Sequence, residues 1–130
     1  LILDEPTTGL DYRECTHIME RAKELNRAGT TIIMISHDME LVFDHVGRVM
    51  AMANGRIVAD GAPERVFRDR EAMAAASLLP PQIMELSMRL AQEPVNGRAF
   101  ASVATPSDMV QILGACGFRQ KQPERRFVGV

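Results

Sequence analysis

The chain has 130 residues, 46% of them hydrophobic and 25% charged, with a formal net charge of −2. That is enough apolar material for a globular core. The near-neutral charge excludes nucleic acid held by bulk electrostatics as the main partner. No apolar run approaches the roughly 20 residues that span a bilayer.

No basic segment followed by an apolar one opens the chain, so secretion is not expected. Cys15 and Cys116 have no CxxC spacing and read as a reduced, buried pair in a cytoplasmic protein. The first residue is Leu1, inside an apolar run, and the chain is expected to be the C-terminal piece of something longer.

Leu1 to Leu3 read as the end of a buried strand, followed by a polar loop from Asp4 to Asp11. Asp11 is an N-cap for a helix over 12–28. Ile18, Ala22 and Leu25 recur along it at helical spacing, and Gly29 is placed to cap its C-terminus. Thr30 to Ile35 is a β-branched run of the kind buried on both faces of a parallel sheet, which makes strand, helix and strand a βαβ unit. Asp38 can cap a short helix over 39–44. Asn54-Gly55 between 48–53 and 56–60 is a strong hairpin signal. Pro63 suits the first position of a helix near 64–67.

Beyond Arg70 the texture turns to a helical, alanine- and methionine-rich stretch, broken by Pro80-Pro81. Ile83, Leu86 and Leu90 then mark one face of another helix. Its remaining girth is also apolar, through Met84 and Met88. That suits burial or a contact between subunits. Thr105 to Asp108 has the order of a helix N-terminus leading into Met109 to Leu113, and the Gln-, Arg- and Pro-rich end, with Arg125-Arg126, reads as a loose, solvated tail. Met34, Met39, Met50 and Met52 read as core filler, and His17 and His45 as structural or surface residues.

Each expected parallel strand ends in a polar set, Asp4-Glu5 on the first and Ser36-His37 on the second. Ligands of open α/β sheets bind at the carboxyl ends of strands. Neighbouring strands lie about 4.8 Å apart, so both sets would face one site. Asp4 and Glu5 alternate along the strand and should point to different places, which argues for two separate carboxylate roles. One carboxylate can hold a hard cation such as Mg²⁺, and the other can orient or deprotonate a water. Taken singly, such a carboxylate pair suits a solvated turn, and a lone histidine after a strand suits a structural role.

The combination is more specific. LILDEP resembles the Walker B segment of ATP-binding-cassette (ABC) ATPases, TTGLD their D-loop, and ISHD their switch-histidine loop. RVMAMANGRIVADGAPERVF is similar to the hairpin and following helix of transporter ATPases. ASLLPPQIMELSMRLAQ resembles the C-terminal region of energy-coupling-factor ATPases for cobalt and vitamin uptake. The resemblance covers residues 1 to about 115. It implies an α/β fold: part of a P-loop NTPase parallel sheet with crossover helices, then a β-hairpin and a small helical appendage. ABC ATPase residues would occupy 1–67, and the appendage and tail 68–130.

The resemblance further implies ATP and Mg²⁺ as ligands. Asp4 would hold Mg²⁺ through water, and Glu5 would be the general base. His37 would contact the γ-phosphate, and Asp11 would lie at the interface of two ATPase subunits. The partners would be a second ATPase subunit, identical or different, and transmembrane transporter subunits at the cytoplasmic face of the membrane.

The 130 residues contain neither GxxxxGK(S/T) nor an LSGGQ-like stretch. The phosphate-cradling amides and lysine are therefore expected from elsewhere, and this chain is expected to be inactive alone. A non-transport ATPase of the same family and a non-catalytic partner-docking remnant are the rival readings.

Overall fold

The computed structural model describes residues 1–94 and 97–117. The Gln-, Arg- and Pro-rich end expected to be a tail, Arg125-Arg126 included, lies outside the described residues. Two compact units divide the chain, Leu1–Gln82 and Ile83–Val130.

In the first unit, β1 (Ile2–Asp4) pairs in parallel with β2 (Ile33–Ile35), joined through α1 (Tyr12–Arg27). The register sets Ile2 against Ile33, Leu3 against Met34 and Asp4 against Ile35, so the two strands end side by side. Asp11 Oδ1 accepts the Glu14 N–H at 2.9 Å while Glu14 Oε2 accepts the Asp11 N–H at 3.2 Å. This reciprocal capping box fixes where α1 starts. At the other end Gly29 has φ +97°. The Thr30 N–H reaches the Leu25 carbonyl, and the Gly29 N–H reaches that of Asn26. This Schellman closure needs the left-handed backbone that glycine supplies. Met19 and Ala22 form the buried stripe of α1, while Leu25 is exposed.

Asp38 caps α2 (Met39–His45) through the Leu41 N–H at 3.0 Å. β3 (Val49–Ala53) and β4 (Arg56–Gly61) then form an antiparallel hairpin. Its two-residue loop, Asn54-Gly55, has φ +49° and +73° as a type I′ turn demands. A register shift between Ala51 and Met52 marks a bulge. α3 (Pro63–Arg68) opens on Pro63, and α4 (Arg70–Ala75) is capped by Asp69. Phe67 is 1% exposed and its ring meets that of Phe43 at 6.1 Å; Val66, Ala72, Met73 and Ala51 complete this core.

The second unit holds α6 (Gly97–Phe100), α7 (Pro106–Ala115) and nearly all of α5 (Gln82–Leu90). Phe100, Val103 and Met109 pack with Ile83, Leu90, Ile112 and Leu113. The buried Ser87 hydroxyl donates to the Phe100 carbonyl at 2.7 Å. A Thr105–Asp108 capping box starts α7, three residues before the expected Met109.

Two expectations change. The first strands are not buried on both faces. Leu3 and Met34 are half-buried on one face, whereas Ile2, Ile33 and Ile35 are exposed on the other, which no helix covers among the described residues. Met50 and Met52 are not core filler either, because the hairpin alternates and turns both outward while Ala51 is buried. The boundary expected after residue 67 lies inside α3, one residue before its end, and the first compact unit runs on to Gln82. Among the described residues no helix is long and apolar enough to cross a membrane.

Phe67→Ala is expected to lower unfolding stability by about 3 to 5 kcal/mol, through lost burial and the cavity left behind. Met52→Ala, at an exposed site, should change it by less than about 0.5 kcal/mol. Urea unfolding of the two variants measures the contrast.

Candidate active site

The candidate site lies at the carboxyl ends of β1 and β2. Hydrogen bonding continues one residue past β1: the Glu5 N–H donates to the Ile35 carbonyl at 2.9 Å. Glu5 itself is not extended. Its φ is +45°, in the left-handed region that a non-glycine residue enters at a cost of order 1 kcal/mol. The direction of its side chain is therefore set by this turn and not by strand alternation. Pro6 follows, and the Thr8 N–H closes back on the Glu5 carbonyl at 3.2 Å. A second turn, Leu10 N–H to the Thr7 carbonyl at 3.2 Å, carries the chain to Asp11; it has Gly9 at φ +80°.

Across the gap, Ser36 and His37 follow β2 directly, and the Ser36 Oγ accepts the Asp38 N–H at 3.1 Å. The His37 ring nitrogen Nδ1 lies 2.7 Å from Glu5 Oε1. The other carboxylate oxygen, Oε2, accepts the Thr8 hydroxyl at 3.3 Å. The Glu5 side chain is 35% exposed and that of His37 is 77% exposed, so the pair sits on an open surface.

The hydrogen bond from His37 holds the Glu5 carboxyl below its ordinary 4.5, with the ring's charge and the Thr8 hydroxyl adding to the effect. The same bond and the Glu5 charge raise His37 above its ordinary 6.5, with a smaller contribution from Asp38. Below the raised His37 value the pair is a carboxylate facing an imidazolium, with Nε2 as the second ring donor. What His37 adds to stability is complete below pH 6.5 and is lost as pH rises through its raised value. What Glu5 adds is present above pH 4.5 and is lost as pH falls through its lowered value.

Asp4 ends β1 as an exposed carboxylate, opposite Ile35 in the register. Asp11 stands at the start of α1, one carboxylate oxygen engaged in the cap. The structure brings Glu5 and His37 into contact; no bond joins Asp4 or Asp11 to them among the described residues. The sequence reading passed over Thr8, whose signal is a hydroxyl three residues after a carboxylate, across a proline turn. A shallow hollow of about 480 Å³ on α1, between Leu10, Arg13, Glu14, His17 and Ile18, contains neither Glu5 nor His37. His45 is half-buried with no hydrogen-bond partner at Nδ1 among the described residues, and burial, then Lys23, lowers its pKa.

No family model matches the chain. A protein of Caldanaerobacter subterraneus subsp. tengcongensis, described as an ABC transporter ATP-binding protein, is 46% identical over 103 residues. The alignment covers 79% of this chain and 17% of that protein. The energy-coupling factor transporter ATP-binding protein EcfA2 of Methanospirillum hungatei is 46% identical over 90 residues, covering 69% of this chain and 23% of EcfA2. The chain belongs to the family of ABC transporter ATP-binding proteins. It spans only between 16% and 29% of the lengths of such curated relatives. Among solved structures, cbiO1 of Clostridium perfringens, part of the ABC transporter complex cbiONQ, aligns with a TM-score of 0.49 at 34% identity. That alignment covers 75% of this ABC chain and 34% of cbiO1.

The His37 ring should titrate above free histidine, and Glu5→Gln should bring its midpoint down, because a neutral amide neither attracts nor holds the imidazolium as strongly. Histidine NMR titration reads this directly. Equal midpoints in the two proteins would mean that the pair does not form.

Proposed function

We propose that the chain is the hydrolytic portion of the ATPase subunit of an energy-coupling-factor type importer. The observation that carries this reading is the 2.7 Å contact between Glu5 and His37, at the ends of two adjacent parallel strands. Membership of the ABC family and the EcfA2 relative support it.

In this reading Glu5 is the general base. Its lowered pKa keeps it ionised at neutral pH, and the lone pairs of Oε2 not used by Thr8 take the proton of the attacking water. In its protonated form His37, held at Nδ1, would present Nε2–H to a γ-phosphate oxygen. Asp4 would be the carboxylate that holds Mg²⁺ when Mg–ATP is bound. Its exposed carboxylate has no ion-pair partner among the described residues, where no cluster of three or more acidic, His or Cys side chains forms a metal cage. One free carboxylate suits Mg²⁺, which keeps its waters and is otherwise ligated by phosphate. Bound Mg–ATP supplies the phosphoryl group and the charge that offsets its oxygens. Asp11 contributes to the contact with a second ATPase subunit, and membrane-embedded partners use the resulting closure to take up a solute such as a metal ion or vitamin. The exposed Ile2, Ile33 and Ile35 face suits burial under the rest of an ATPase domain.

The 130 residues lack GxxxxGK(S/T) and an LSGGQ-like stretch, so the chain alone should neither bind ATP tightly nor hydrolyse it. Joined to a segment carrying both motifs, it should hydrolyse ATP. Glu5→Gln in the joined protein should lower kcat by about 10²- to 10⁴-fold while ATP binding persists. Steady-state hydrolysis and equilibrium nucleotide binding are the measurements. Undiminished turnover in the Glu5→Gln protein would sink the reading.

A further inference from the structure

We propose that Thr8 is a positioning residue for the Glu5 carboxylate, its hydroxyl holding Oε2 so that Oε1 stays on His37 Nδ1. The inference rests on reading Glu5 as the proton-accepting group.

The geometry begins in the backbone. Glu5, Pro6, Thr7 and Thr8 form a four-residue turn closed by the Thr8 N–H on the Glu5 carbonyl at 3.2 Å. Proline at the second position presets the turn. Closing it brings the side chains of its first and last residues within reach, and the Thr8 Oγ1 lies 3.3 Å from Glu5 Oε2. Thr7, the other hydroxyl of the turn, is buried and makes no such bond.

A carboxylate held at one oxygen still turns about its last bond, where the torsional preference is broad. With His37 on Oε1 and Thr8 on Oε2, that freedom is removed from both ends. The need for a second hold follows from exposure. The Glu5 side chain is 35% exposed and His37 is more exposed still, so water competes for the carboxylate and a second hydrogen bond helps to hold it. The hydroxyl also stabilises the ionised form, in line with the lowered Glu5 pKa. Thr8 thereby joins the turn to the pair, so the left-handed backbone at Glu5, the turn and the histidine contact act as one unit.

The test reads the tautomer of the neutral His37 ring, by imidazole ¹⁵N shifts at a pH above its titration. The Glu5 contact selects the Nδ1–H form, whereas a free ring favours Nε2–H. Wild type should show Nδ1–H. Thr8→Val, nearly isosteric and without a hydroxyl, should move the population toward Nε2–H. Thr8→Ser should restore it, and Glu5→Ala should give Nε2–H. In the protein joined to its nucleotide-binding segment, Thr8→Val should lower kcat about tenfold at unchanged KM, with rescue by Thr8→Ser. If Thr8→Val keeps the wild-type tautomer while Glu5→Ala loses it, the Thr8 inference fails and the reading of Glu5 stands. If Glu5→Ala also leaves the tautomer unchanged, the pair does not exist, and both fall.

Discussion

One backbone hydrogen bond, from the Glu5 N–H to the Ile35 carbonyl, governs how the candidate site is assembled. It lies one residue beyond the three-residue ladder of β1 and β2 and keeps the two strand ends in register after the extended conformation has stopped. The chain can then turn into the left-handed region at Glu5 without drifting away from β2. The cost of that conformation is offset by the ladder bond on one side and the turn closure on the other. Without this anchor, a carboxylate on a polar loop and a histidine on another loop would have no reason to meet at 2.7 Å.

The arrangement is built on little sheet. Parallel strands are normally covered on both faces, because their crossover connections place helices there. Here Leu3 and Met34 are half-covered, and three isoleucines on the opposite face are not. The hydrophobic core of the first unit lies elsewhere, around Phe67, Phe43 and the hairpin. The residues that position the chemistry and the residues that supply burial are thus largely different ones. Substitutions in the Phe67 cluster should therefore show up in folding, and those in the Glu5 turn, on the proposed reading, in turnover.

How much was legible in the sequence follows from the kind of signal each element carries. Asp11 and Gly29 bracket α1 because caps are local chemistry, settled within four residues of the helix end. Asn54-Gly55 declares its turn because few other pairs accept positive φ at both positions. The parallel pairing was legible from two apolar runs around a helix. The direction of the Glu5 side chain was not, since alternation holds only inside a strand and the residue sits one step outside it. The exposure of Met50 and Met52 was hidden for a similar reason: composition marks them as apolar, while the pleat around Ala51 decides which way they face. α6 is four residues long, too short for periodicity to register. The break between units after Gln82 depends on packing among distant helices, which no local pattern encodes.

The capping box at Asp11 has a mechanical consequence. Its Oδ1 already closes the first turn of α1, and the reciprocal bond from the Asp11 N–H to Glu14 fastens the backbone at the same point. Any partner that draws on this carboxylate must either use the second oxygen alone or loosen the helix start, at a cost of about 1 kcal/mol. Force applied at Asp11 is therefore transmitted along two routes. One runs down the sixteen-residue axis of α1. The other runs back through Leu10 and Thr7 to the turn that begins at Glu5. A single short side chain thus stands between a helix start and a carboxylate six residues upstream, joined to both by short hydrogen-bonded turns.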